Sequence, residues 1–115
     1  MSEIKLELRM KDGKTKTFTQ DFVPFKKRLD YVREETELVE RVDENGKPNP
    51  ATSEELTEFR AKFVAGLFDN KQVTADAILN GIDVEDTVIM DIILFRVLGL
   101  KKTDVIEEDD PKKEV

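Results

Sequence analysis

Apolar and polar residues alternate at the start of this chain, then switch to a helical period. Ile4, Leu6, Leu8 and Met10 alternate with Lys5, Glu7, Arg9 and Lys11. A period of two puts every apolar side chain on one face, as a half-buried strand requires. Asp12-Gly13 follows and predicts a type I′ turn, whose central residues need positive φ. Lys14 to Thr19, rich in β-branched Thr, reads as the returning strand. Residues 3–19 are therefore expected to form a β-hairpin. A lone hairpin is marginal in water, so this one must lie on other elements.

From Pro24 the period lengthens. Proline suits a first helical turn because its missing N–H would be unpaired there anyway. Phe25, Leu29, Val32, Val39 and Val42, with Tyr31 and Leu38 alongside, form a stripe of the kind that faces a core. Glu34, Glu35, Glu37 and Glu40 line the opposite side. These positions predict a helix over about 24–42. Asp43 to Thr52 contains Asn45-Gly46, Pro48 and Pro50 and reads as a polar, mobile loop. Thr52 with Glu55 fits a capping box and opens a helix over about 53–68, with Leu56, Phe59, Phe63 and Leu67 facing one way. Thr74 caps a short helix over 74–80, with Gly81 at its C′ position. Asp83 is expected to cap a last helix, 84–98, which Gly99 ends. Residues 101–115 are charged and predict a disordered tail. The fold class is α+β and mainly helical: one domain over residues 1–100, an N-terminal β-hairpin followed by three to four α-helices.

The last helix departs from an ordinary surface pattern. Val88 to Leu98 holds nine apolar residues in eleven, interrupted by Asp91 and Arg96. At helical spacing, Val88, Ile92 and Phe95 form one ridge, Ile89, Ile93 and Val97 a second, and Met90, Leu94 and Leu98 a third. A surface helix of a small domain buries one stripe. Either this helix is enclosed by its own domain, or its spare face meets a second molecule. Phe22 and Phe25 flank Pro24 and read as an anchor between hairpin and helix, or as part of a groove for a partner segment. The expected protein-binding residues are Val88, Ile92 and Phe95, with Phe22 and Phe25 as a second candidate.

Composition narrows the function. The 115 residues carry 26 acidic and 19 basic side chains, a net charge of −7. That balance opposes a phosphate backbone and an anionic membrane, so neither nucleic acid nor membrane is an expected partner. Histidine and cysteine are absent. Their absence removes Ser-His-Asp and Cys-His nucleophiles, most zinc sites and any disulfide. The glycines are scattered singly, with no phosphate-cradling loop. Asp43-Glu44-Asn45-Gly46 superficially resembles a calcium loop but lacks its alternating oxygen ligands. Asp83, Glu85, Asp86 and Asp91 gather where acidic residues complement a helix dipole. Glu34, Glu35, Glu37 and Glu40 read as a solvated helix face or a docking face for a basic partner. No catalytic, metal-binding or cofactor-binding residue is expected, and no cofactor.

The order of these elements, with two junctions, resembles a known family. The junctions are Thr17-Phe18-Thr19-Gln20-Asp21-Phe22-Val23-Pro24 and Val73-Thr74-Ala75-Asp76-Ala77-Ile78-Leu79-Asn80-Gly81-Ile82-Asp83. Over roughly residues 1–100 the chain resembles the tail assembly chaperones of long-tailed, siphovirus-type bacteriophages and of prophages of Gram-positive bacteria. The resemblance implies a non-enzymatic protein that coats the tape measure protein before tail-tube subunits polymerise. It implies action in the bacterial host cytoplasm, absence from the finished virion, and both short and frameshift-extended forms. The tape measure protein, and with it the tail-tube protein, are the implied partners. The family carries no active-site residues, so no residue acquires a role by likeness. A homo-oligomer is a further expectation, because a self-pairing last helix would explain the same apolar excess. Two rival functions fit the same residues. One is a small acidic inhibitor or immunity-type protein masking a basic surface, whose binding weakens steeply with salt. The other is a metal-assisted enzyme using the carboxylates between Asp83 and Asp91, which a metal titration tests.

Overall fold

A computed structural model describes residues 3–101. Strands β1 (Ile4–Arg9) and β2 (Thr15–Gln20) form an antiparallel two-stranded sheet in which Leu6 pairs with Phe18 and Arg9 with Thr15. Helices α1 (Lys26–Val39), α2 (Ser53–Ala65), α3 (Ala75–Gly81) and α4 (Val88–Asp91) follow, and a π-helical segment, Ile92–Val97, continues α4. The α+β hairpin-then-helices architecture is the one the pattern predicts.

The hairpin turn differs in type. Gly13 has φ +84, whereas no non-glycine residue among those described has positive φ. Asp12 therefore cannot take its place in a type I′ turn. Gly13 donates its N–H to the Met10 carbonyl and Met10 donates its own to the Lys14 carbonyl. This is a three-residue loop with left-handed glycine at its end, the next commonest hairpin connection. The same pattern recurs at Asp43 to Lys47, where Gly46 N–H reaches the Asp43 carbonyl and Asp43 N–H reaches that of Lys47. A bridge between Val42 and Pro48 closes it. The polar loop is thus a hydrogen-bonded miniature hairpin. Arg41 fastens it from the side, with Nε on the Asn49 carbonyl and a bidentate grip on Glu55.

Local capping places α2 and α3. Thr52 and Glu55 form the expected reciprocal box, and Thr74 accepts from the Ala77 N–H. Helix α2 ends at Ala65, and Leu67 and Phe68 enter the core from the turn beyond it. Its core face is Ala61, Val64 and Ala65, whereas Phe59 and Phe63 lie half-buried against Tyr31. Gly81 is the last residue of α3 rather than a left-handed cap. It is small because α3 crosses β1 closely: a Cβ there would stand 2.9 Å from the Arg9 carbonyl oxygen.

The last helix starts late. Asp83 accepts the Glu85 N–H and Asp86 accepts the Val88 N–H, so a turn occupies the segment where a helix from residue 84 was expected. Beyond Asp91 the bonding shifts to i→i+5, as in Leu98 N–H to the Ile93 carbonyl. The wider turn brings Ile92, Ile93 and Val97 to one buried face. These three share a core with Ile4, Leu6, Leu8, Phe18, Tyr31, Val64 and Ile78. The expected disordered tail lies outside the described residues, apart from Lys101.

Candidate protein-binding surface

Helix α1 turns its inner face to α2 through a single buried residue, Tyr31. The Tyr31 ring stacks on Phe59 at 5.4 Å and meets Phe63 edge-on at 5.1 Å, geometries that aromatic quadrupoles favour. Its hydroxyl donates to Glu35, and Arg60 donates to both Tyr31 and Glu35. Burial, reinforced by the neighbouring Glu35 carboxylate and opposed by Arg60, raises the Tyr31 pKa above its ordinary value. The contact is narrow, and it fixes which way α1 faces.

The opposite face holds the apolar stripe. Phe22, Phe25, Leu29, Val32, Val39 and Val42 are each between 49% and 67% exposed. From Phe25 to Val39 the spacing is four, three, four and three residues, with Thr36 at the fourth position. That spacing keeps the side chains on one line along the helix. Two contacts hold the N-terminal end of the line. The Arg28 guanidinium lies 4.7 Å over the Phe25 ring while its Nε donates to the Val97 carbonyl. The Gln20 side chain donates to the Phe22 carbonyl and joins Asp69.

The residues first expected to bind a partner divide accordingly. Ile92 is buried, at 5% exposure, and Val88 and Phe95 are half-buried. Ile92 therefore offers no free surface. Enclosure of the last helix by its own domain accounts for most of its apolar excess. Phe22 and Phe25 do face solvent. Leu29, Val32, Val39 and Val42 were legible as a stripe but not as an exposed one, because periodicity does not say which face a domain covers.

Between α1 and α2 a groove of about 650 Å³ is lined by Leu38, Phe59 and Phe63 together with Asp30, Glu34, Glu37, Glu55 and Glu58. Arg33 lies 3.3 Å from Asp30, 3.7 Å from Glu34 and 3.9 Å from Glu37, and Arg41 holds Glu55 at 2.8 Å. Four of these five carboxylates are thus answered within the domain. The Arg41 guanidinium, helped by the Thr52 backbone N–H, lowers the Glu55 pKa to about 2.

The acidic residues near the last helix have local partners. Asp83 and Asp86 accept backbone N–H groups, and Asp91 accepts from the Thr87 hydroxyl. Asp43 takes the N–H groups of Asn45 and Lys47. Among the described residues, no three His, Cys, Asp or Glu side chains gather as a metal site would require. No helix among them is long and apolar enough to cross a membrane.

The surface that stands out is thus an apolar line on an otherwise ionic chain. No curated protein and no solved structure matches the sequence. The family model described as phage tail chaperone protein matches residues 1–114, and the chain belongs to that family.

Proposed function

We propose that this chain chaperones the tape measure protein during phage tail assembly, holding it until tail-tube subunits polymerise around it. The observation that carries the reading is the line of exposed large apolar side chains along α1 and the residues that flank it. A chaperone for a long, apolar-faced helical client needs such a surface, and a helix laid along apolar anchors is a recurring recognition mode. Net charge of −7 keeps the chaperone soluble while the line stays open. Phe22 and Phe25 stay in the proposed contact. Leu29 and Val32 join them at its centre, and Val88, Ile92 and Phe95 leave it. The work is binding and not catalysis, done in the bacterial host cytoplasm, and the protein is absent from the finished virion.

The test is co-purification of the tape measure protein with the full chain and its variants. Leu29→Asp and Val32→Asp should lose the client while far-UV circular dichroism stays helical, because both side chains already face water. Val84→Asp, at a position 97% exposed and off α1, should retain it. Capture undiminished by the α1 substitutions places the contact elsewhere.

A further inference from the structure

The hairpin leaves one edge of its sheet open. Met10 donates its N–H to the Lys14 carbonyl. In the register of the two strands, that bond makes Leu8–Lys16, Leu6–Phe18 and Ile4–Gln20 the bonded pairs. The residues between them point their N–H and C=O groups outward: Lys5, Glu7 and Arg9 on β1, and Thr15, Thr17 and Thr19 on β2. The β1 edge is obstructed, because the last turn of α3 lies against Arg9 at Gly81. The β2 edge is not. Thr15, Thr17 and Thr19 are exposed, and among the described residues their outward backbone groups have no backbone partner. The turn at 69–72 bonds to β2 only through the Lys16 and Gln20 side chains, which meet Gln72 and Asp69. Such an unpaired row is a template for a further strand.

The hairpin is also the basic end of an acidic chain. Residues 1–20 carry five basic and three acidic side chains, against −7 for the whole. Among the described residues, ion pairs form at Arg33, Arg41 and Arg60 and at none of Lys5, Arg9, Lys11, Lys14 and Lys16. Lys16 bonds to the neutral Gln72 amide and lies over the Phe18 ring. Lys14 and Lys16, two residues apart, share one face of the sheet. Edge lysines keep like edges from pairing. They therefore disfavour a second copy and admit a strand of opposite charge.

We infer that β2 receives an extended segment of another protein as a third strand, and that this segment carries acidic residues at alternate positions. Its main chain takes up the outward groups of Thr15, Thr17 and Thr19. In such strand addition the ladder gives affinity and alternate side chains give specificity. Two carboxylates spaced by two residues lie across from Lys14 and Lys16. The contact is independent of the α1 stripe and of the function proposed above.

Amide exchange read by NMR on the full chain tests this, with a short capped peptide of alternating Glu and Thr as the probe. With peptide at about ten times its dissociation constant, exchange at Thr15, Thr17 and Thr19 should slow about tenfold, as occupancy of one site requires. Lys16 and Phe18, whose N–H groups already pair with β1, should change little. A peptide of alternating Lys and Thr should not bind. Lys14→Glu combined with Lys16→Glu should reverse that preference, with unchanged far-UV circular dichroism. No slowing up to the solubility limit of the peptide, equal slowing at all five amides, or equal binding of the two peptides each overturns the inference. So does slow exchange at the three threonines before peptide is added. If that slowing grows with protein concentration, a second copy holds the edge; if it is constant on dilution, a segment of the chain itself does.

Discussion

At the scale of single residues, the clearest pH-sensitive contact is Arg41 with Glu55. Arg41 reaches from beyond α1, grips Glu55 in the first turn of α2 with two bonds of 2.8 and 3.1 Å, and carries the miniature hairpin between them. The folded Glu55 pKa, about 2, lies below the roughly 4.3 of an unfolded glutamate. A depressed carboxylate stabilises the fold fully above its unfolded pKa, and that contribution is lost as pH falls toward the folded one. Thermal unfolding compared at pH 7 and pH 3 should therefore show an acid-side loss that Arg41→Ala largely removes. An unchanged acid slope in that variant would show that other carboxylates govern it. Tyr31 supplies a second residue-scale test. Tyr31→Ala empties the space between Phe59 and Phe63 and should cost about 3–5 kcal/mol in urea unfolding, the range for large aromatic truncations. Tyr31→Phe keeps the ring and should cost about 1 kcal/mol, the worth of a typical hydrogen bond.

At the scale of elements, the last helix decides between core and interface. Ile93 is 1% exposed in the π-helical segment, so Ile93→Ala should cost about 2–5 kcal/mol. Val84→Asp, in the turn before α4, should shift stability by no more than about 0.5 kcal/mol. Equal costs at the two sites would contradict the enclosed arrangement. What was readable beforehand follows the same division. The hairpin, the Thr52–Glu55 box and the Thr74 cap are local, and residues a few positions apart determine them. The i→i+5 shift after Asp91 is not local in that sense. A 3.6-residue ridge pattern distributes Val88 to Leu98 around the helix, whereas the π turn collects Ile92, Ile93 and Val97 on one side. The turn at Asp83 to Thr87 hid for a related reason: its acidic residues cap a turn and a helix start alike. Helix α1 shows the other limit. Its stripe was plain in the sequence, but Tyr31 is the one buried residue of α1, and its packing on Phe59 and Phe63 with the Arg60 link to Glu35 turns five aliphatic or aromatic positions toward water. That choice is made by the shape of the neighbouring helix, which no periodicity encodes.

At the scale of the whole molecule, an ionic exterior and one apolar line serve opposite needs. Charge holds copies apart, and the line draws a client in. If the client contact is apolar, moderate salt leaves it standing, because screening acts on exposed charges and not on buried hydrocarbon. An inhibitor-type contact built on the acidic surface would fade steeply over the same range.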